Sequence, residues 1–156
     1  MIFQFNSEHL LPVTMEVAWE FFSSPGNLAR ITPPEMDFKV LTDPGELEIY
    51  DGMLIDYTVK PLFGLPLYWQ TEIFMVDKPN CFADRQLKGP YKLWEHKHTF
   101  IQQENGVLMK DEVRYQLPLG IIGQMAHSIL VRKKVENIFI FRAKVLDQIF
   151  RKPEQK

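Results

Sequence analysis

A single cysteine, Cys81, in 156 residues excludes an intrachain disulfide and a thiolate zinc set. It fits a reducing compartment, so a cytoplasmic location is expected. No apolar run approaches the roughly 20 residues of a membrane-spanning helix, so stable membrane insertion is not expected. The N-terminus has no basic segment leading into an apolar one, and no signal peptide is expected. Charge is close to balanced. A net charge of −2 gives no global pull toward nucleic acid, and no nucleic-acid partner is expected. No glycine-rich phosphate loop and no strained nucleophile motif occurs. No cofactor is expected.

Aromatic residues are plentiful instead. They make up 13% of the chain, with 12 phenylalanines, enough to line a wide apolar space as well as fill a core. The length suits one domain, expected over residues 1–152, with a loose tail at 153–156. Ile2 to Leu10 alternates like a strand. Thr14 is placed to cap a helix carrying Val17, Ala18, Phe21 and Phe22, and Ser24-Pro25-Gly26-Asn27 ends it. A short second helix follows with Leu28 and Ile31, stopped by Thr32-Pro33-Pro34. Strands are then predicted at Phe38–Thr42, Met53–Lys60, Leu67–Val76, Phe82–Lys88, Leu93–Gln103 and Val107–Leu117. From Ile121 to Phe150, apolar residues recur at helical spacing, predicting a helix of roughly 45 Å.

The segment Trp94-Glu95-His96-Lys97-His98-Thr99-Phe100 carries the clearest chemical signal. Alternation places Trp94, His96, His98 and Phe100 on one face and the charged residues on the other. Two histidines are thereby sent inward, where imidazole is costly unless paired or wet. Asn105-Gly106 predicts a type I′ hairpin in which Glu104 pairs with Val107. In that register Phe100 faces Asp111, His98 faces Val113 and His96 faces Tyr115. Met109, Asp111, Val113 and Tyr115 then point inward, with Asp111 diagonal to His98.

Strand, two short helices, an antiparallel run of strands and a long terminal helix is the element order of an α+β helix-grip fold. The chain resembles the START/Bet v 1-like (SRPBCC) superfamily, and within it the bacterial polyketide cyclase/dehydrase-like, ligand-binding branch. The resemblance is carried by Phe21 to Leu28, Ile31 to Pro34, Gly89-Pro90-Tyr91 with Trp94, His96, His98 and Phe100, and Asp111 to Pro118 with Gly120. It implies a curved antiparallel sheet wrapped around the long helix, with an elongated cavity between them. Fold alone does not settle activity.

Within that frame His96, His98 and Asp111 are the catalytic candidates, because a carboxylate beside an imidazole fixes its tautomer and raises its basicity. The same residues suit a hydrogen-bonded polar cluster first and a ligand-orienting group second, both ahead of catalysis. A two-histidine, one-carboxylate metal site is not adopted, because no clear further ligand is supplied. Ligand-binding candidates are Tyr57, Trp69, Thr71, Asp84, Gln86, Trp94, His96, His98, Met109, Asp111 and Tyr115. Asp84 and Gln86 face inward if the Lys88-Gly89-Pro90 turn has three residues, and Arg85 does so if it has two. Burying Arg85 would demand a paired charge, which favours the first. Pro61 to Pro66 reads as an apolar loop packed on a neighbouring helix, and Arg132-Lys133-Lys134 as a solvated helix face. Three functions fit: binding of a hydrophobic or aromatic small molecule, lipid- or polyketide-like; an enzyme of cyclase/dehydratase type using the His/Asp cluster; or a protein-interaction module with a vestigial cavity.

Overall fold

The computed structural model describes residues 1–42, 48–60, 64–118, 125 and 130–151. Seven strands form one antiparallel sheet: β1 (Phe3–Leu11), β2 (Lys39–Val40), β3 (Leu54–Val59), β4 (Leu67–Asp77), β5 (Cys81–Lys88), β6 (Leu93–Gln103) and β7 (Gly106–Gln116). Their spatial order is β1-β7-β6-β5-β4-β3-β2, a meander closed at one edge by the return of β1. Two short helices, α1 (Met15–Phe22) and α2 (Pro25–Leu28), follow β1, and α3 (Arg132–Ile149) lies near the C-terminus. This is the α+β helix-grip arrangement expected. Among the described residues no helix is long and apolar enough to cross a membrane.

Local chemistry accounts for most element boundaries. The Thr14 hydroxyl accepts from Val17 N and caps α1. Pro25, which sequence reading takes as part of a stop, also opens α2 at its first position. Its fixed φ suits a helix start, so one segment does both jobs. The pairing of β4 with β5 shifts between Gln70 and Thr71 and again between Phe74 and Asp77. Such irregularities increase local twist and bend a sheet.

The β6–β7 hairpin departs from its predicted register. Gln103 pairs with Gly106, so Phe100 faces Met109, His98 faces Asp111 and His96 faces Val113. The turn is Glu104–Asn105, and neither residue takes positive φ, so it is not type I′. Gly106 takes φ 147° at the start of β7, where an added Cβ would lie 2.0 Å from the Leu11 carbonyl oxygen. The glycine therefore serves the close approach of β1, not the centre of the turn. Because the shift is two residues, every side chain keeps its face.

The described α3 has 18 residues and spans about 27 Å, shorter than expected. Residues 119–124 and 126–129, including Ile121 and Ile129 of the predicted stripe, lie outside the described set, as do Pro61–Phe63 and the expected tail. Leu65, in the part of the apolar loop that is described, is exposed. The core falls into two clusters. The larger gathers Leu11, Trp19, Phe82, Phe100, Met109 and Leu146 under α1. The smaller holds Val113, Tyr115, Val131, Val135 and Phe139 beneath the first half of α3.

Candidate functional site

Between the two core clusters a row of polar side chains crosses the concave face. Strand pairing sets it: Asp84 on β5 faces His96 on β6, His98 faces Asp111 on β7, and Asp111 faces Ser7 on β1. His96, His98 and Asp111 are all more than nine-tenths buried. Asp111 Oδ1 lies 2.8 Å from His96 Nε2 and 3.0 Å from His98 Nδ1. The His96 contact is a well-formed hydrogen bond. The His98 contact has the distance but not the direction, and Nδ1 makes no aligned bond. Ser7 Oγ donates to the other Asp111 oxygen at 3.4 Å. On the opposite side of the pair, Asp84 Oδ2 lies 3.7 Å from His96 Nδ1 and 3.5 Å from His98 Nε2. The imidazole rings are 3.9 Å apart, with Phe82 stacked on His98 and the edge of Phe139 against His96.

The electrostatics follow from this asymmetry. Burial alone would raise the Asp111 carboxyl, but the hydrogen bond from His96 and the close approach of His98 hold it well below the usual carboxylate range. Asp111 is therefore ionised and can only accept, which assigns a proton to His96 Nε2. Burial, reinforced by repulsion from His98, lowers His96. Burial works against the His98 cation too, yet Asp111 and Asp84 together outweigh it and raise that imidazole. Two equally buried histidines are pushed apart, an arrangement that separates proton holder from proton acceptor.

A cavity of about 170 Å³ opens in front of this row. Phe38, Ile55, Val59, Ile73 and Tyr91 are among its apolar walls, and Val135 and Ile138 of α3 cover it. Of the predicted ligand-binding residues, Tyr57, Trp69, Thr71, Asp84, Trp94, His96 and His98 line it. The Tyr57 hydroxyl and Thr71 Oγ1 bond each other at 2.8 Å, while the Trp69 indole N–H is buried without a partner among the described residues. Four predicted residues lie elsewhere. Gln86 faces inward across from Thr71, but its amide donates to Tyr91 O and accepts from Tyr91 N, closing the hairpin end. Met109 sits in the larger core cluster and Tyr115 in the smaller one. Asp111 lies behind the histidines and lines a separate cleft between β1 and α3. Arg85 points outward, with Nε donating to Glu72 at 2.8 Å.

Arg142 is a site residue that sequence reading missed. It descends from α3, is 6% exposed, and lines both the cavity and the second cleft. Its guanidinium lies over Phe139, and its Nε and Nη1 have no hydrogen-bond partner among the described residues. Burial pulls it below the usual arginine range against the attraction of Asp111 and Asp84. A signal was present: Val135, Phe139, Arg142 and Leu146 are spaced four, three and four apart, so the arginine occupies a buried position of the helix stripe.

Taken together, the row can hold a hydroxyl or carbonyl of a ligand, or pass a proton through His98. The three donor atoms that converge on the cavity side, from Asp84, His96 and His98, lie within 4.8 Å of one another, within reach of a shared metal ion.

No family model matches the chain, and no curated protein matches it. Solved structures do. Protein CV1439 from Chromobacterium violaceum matches with a TM-score of 0.71 at 13% identity, over 96% of this chain and 98% of that one. Major latex-like protein 151 from Panax ginseng matches with a TM-score of 0.68 at 12% identity, over 96% and 98%. A nucleoside-diphosphate sugar epimerase from Corynebacterium glutamicum matches with a TM-score of 0.67 at 23% identity, over 92% of this chain but 28% of that longer one. At these identities the likeness establishes the fold alone, the helix grip.

Proposed function

We propose that this protein binds a hydrophobic or aromatic small molecule, lipid- or polyketide-like, with its apolar body in the cavity and its polar end against Asp84, His96 and His98. The supporting observation is the distribution of chemistry around the walls: apolar and aromatic side chains nearly everywhere, and polar groups converging at one place. That is the general design of small-molecule sites. The vestigial-cavity reading has less support, because Phe100 packs in the core rather than plugging the cavity.

One observation favours a second reading, an acid–base enzyme of the cyclase/dehydratase type. His98 is buried, faces the cavity, and lies between two carboxylates that favour its protonated form. Under that reading His98→Gln abolishes turnover.

Native mass spectrometry of freshly purified protein, with titration of an apolar fluorescent probe, tests the binding function. Ile138 lines the cavity from α3, so Ile138→Trp fills the space without touching the polar row. Wild type is expected to carry or take up one apolar molecule, and Ile138→Trp to lose it. Equal probe binding by a folded Ile138→Trp variant would overturn the proposal.

A further inference from the structure

The two sides of the histidine pair do not match chemically. On the inner side Asp111 Oδ1 is 2.8 Å from His96 Nε2 and 3.0 Å from His98 Nδ1. A carboxylate oxygen at that range repels a bare lone pair, so both of these nitrogens carry hydrogen. The nitrogens left to bind a metal are His96 Nδ1 and His98 Nε2, the latter by giving up the proton that the two carboxylates favour. Both face Asp84 Oδ2, at 3.7 and 3.5 Å. With that proton displaced, three ligand atoms converge from the cavity wall.

These distances are too long for hydrogen bonds. They lie close to the edges of a coordination shell, where ligand atoms about 2.0–2.2 Å from a tetrahedral metal lie roughly 3.3–3.6 Å apart, and all three atoms fall within 4.8 Å of one another. We infer that His96 Nδ1, His98 Nε2 and Asp84 Oδ2 form a binding site for a divalent transition-metal ion. Asp111 is the outer partner that orients both imidazoles, the role a carboxylate plays behind metal-bound histidine. In the metal set considered and not adopted from sequence, Asp111 is the carboxylate, whereas the strand register gives Asp111 the outer position and sets Asp84 as the third ligand.

The donor set of two imidazoles and one carboxylate suits zinc, iron(II) or manganese better than calcium or magnesium. All three ligands line the cavity, so the fourth position opens into it. Charge constrains what takes that position. Asp84 and Asp111 bring two negative charges, and the buried Arg142, which lines the cavity with Asp84 and the second cleft with Asp111, brings one positive. A divalent ion leaves the site with one net positive charge. The fourth ligand is therefore anionic: hydroxide, or a carboxylate carried by a molecule in the cavity. The site itself stands on its own geometry and does not rest on the binding of an apolar molecule.

Untagged, chelator-treated protein is titrated with cobalt(II) chloride and zinc chloride. Bound metal is counted by elemental analysis, cobalt coordination is read from visible absorption, and folding is checked by near-ultraviolet circular dichroism. One equivalent of cobalt with a strong ligand-field band is expected, displaced by zinc. Asp84→Asn should lose the band while remaining folded. Asp111→Asn should keep the stoichiometry at saturation but weaken affinity by about 10–100-fold. A folded wild type that takes up neither ion overturns the inference. So does uptake that survives in an Asp84→Asn/His98→Gln double variant, which would place the ion elsewhere, as at His9 and Asp147, whose Nε2 and Oδ1 are 3.0 Å apart. Apolar-probe binding by the metal-free protein reports separately on the cavity.

Discussion

Arg142 shows how a single residue can lower stability to serve a site. Its neighbours along the buried stripe, Val135, Phe139 and Leu146, are apolar, and a leucine or methionine would continue them. The guanidinium instead leaves Nε and Nη1 without a hydrogen-bond partner among the described residues. Each unpaired buried donor costs about 1–3 kcal/mol. Removing the charge leaves Asp111 its contacts to His96, His98 and Ser7, and leaves Asp84 flanked by both histidines. Arg142→Met is therefore expected to raise stability by about 1–3 kcal/mol, seen as a higher urea midpoint at unchanged slope. The same variant should weaken binding of a carboxylate-bearing apolar probe relative to its uncharged analogue. A lower midpoint would mean that Arg142 supports the fold through Asp84 and Asp111 rather than serving a ligand. Sequence patterning makes the stripe position of Arg142 legible, but not its lack of a partner, which depends on side chains from β7 and β5 that approach only after folding.

At the scale of elements, the β6–β7 hairpin holds the site in register, and Gly106 fixes where β7 begins. A side chain there would collide with the Leu11 carbonyl and would also have to adopt φ 147°. Gly106→Ala should cost about 2 kcal/mol or more by chemical denaturation. Asn105→Ala, at a turn position without positive φ, should cost well under half of that. If the two variants are equally mild, the turn rather than the β1 contact sets the register. The strands themselves are legible, since alternation and proline or glycine punctuation mark them, and β6 runs from Leu93 to Gln103 as predicted. Inward faces are legible for the same reason, which is why His96, His98, Asp84 and Asp111 share one face. Pairing partners are not. A two-residue slip leaves the hydrophobic pattern unchanged, so nothing in the alternation separates Asp111 opposite His98 from Asp111 diagonal to it. Only the tertiary contact of Gly106 with β1 decides, and that contact is nearly a hundred residues away in sequence.

The whole molecule divides its interior between packing and space. Two core clusters flank the polar row, and α3 joins them through Phe139 on one side and Leu146 on the other. A resemblance in element order makes the existence of a cavity legible, but which inward residues line it depends on where α1 and α3 press against the sheet. Met109 and Tyr115 face inward and are packed, whereas Tyr57 and Trp69 face inward and line the cavity. Open space inside a protein carries a cost. At about 24 cal/mol per Å³, the 170 Å³ cavity represents on the order of 4 kcal/mol of forgone stabilisation. Evolution toward stability alone would fill it, and a ligand that fills it recovers part of that energy. Two effects of opposite sign then follow for Ile138→Trp. Without ligand, its larger side chain should raise the thermal midpoint by an amount equivalent to about 1 kcal/mol. With an apolar ligand in excess, wild type should gain further stability as the logarithm of ligand concentration, while the variant should gain none. Thermal scans of both proteins over a ligand titration separate the cases. If the variant is destabilised without ligand and still shifts with it, the space in front of the histidines is already as well packed as a core.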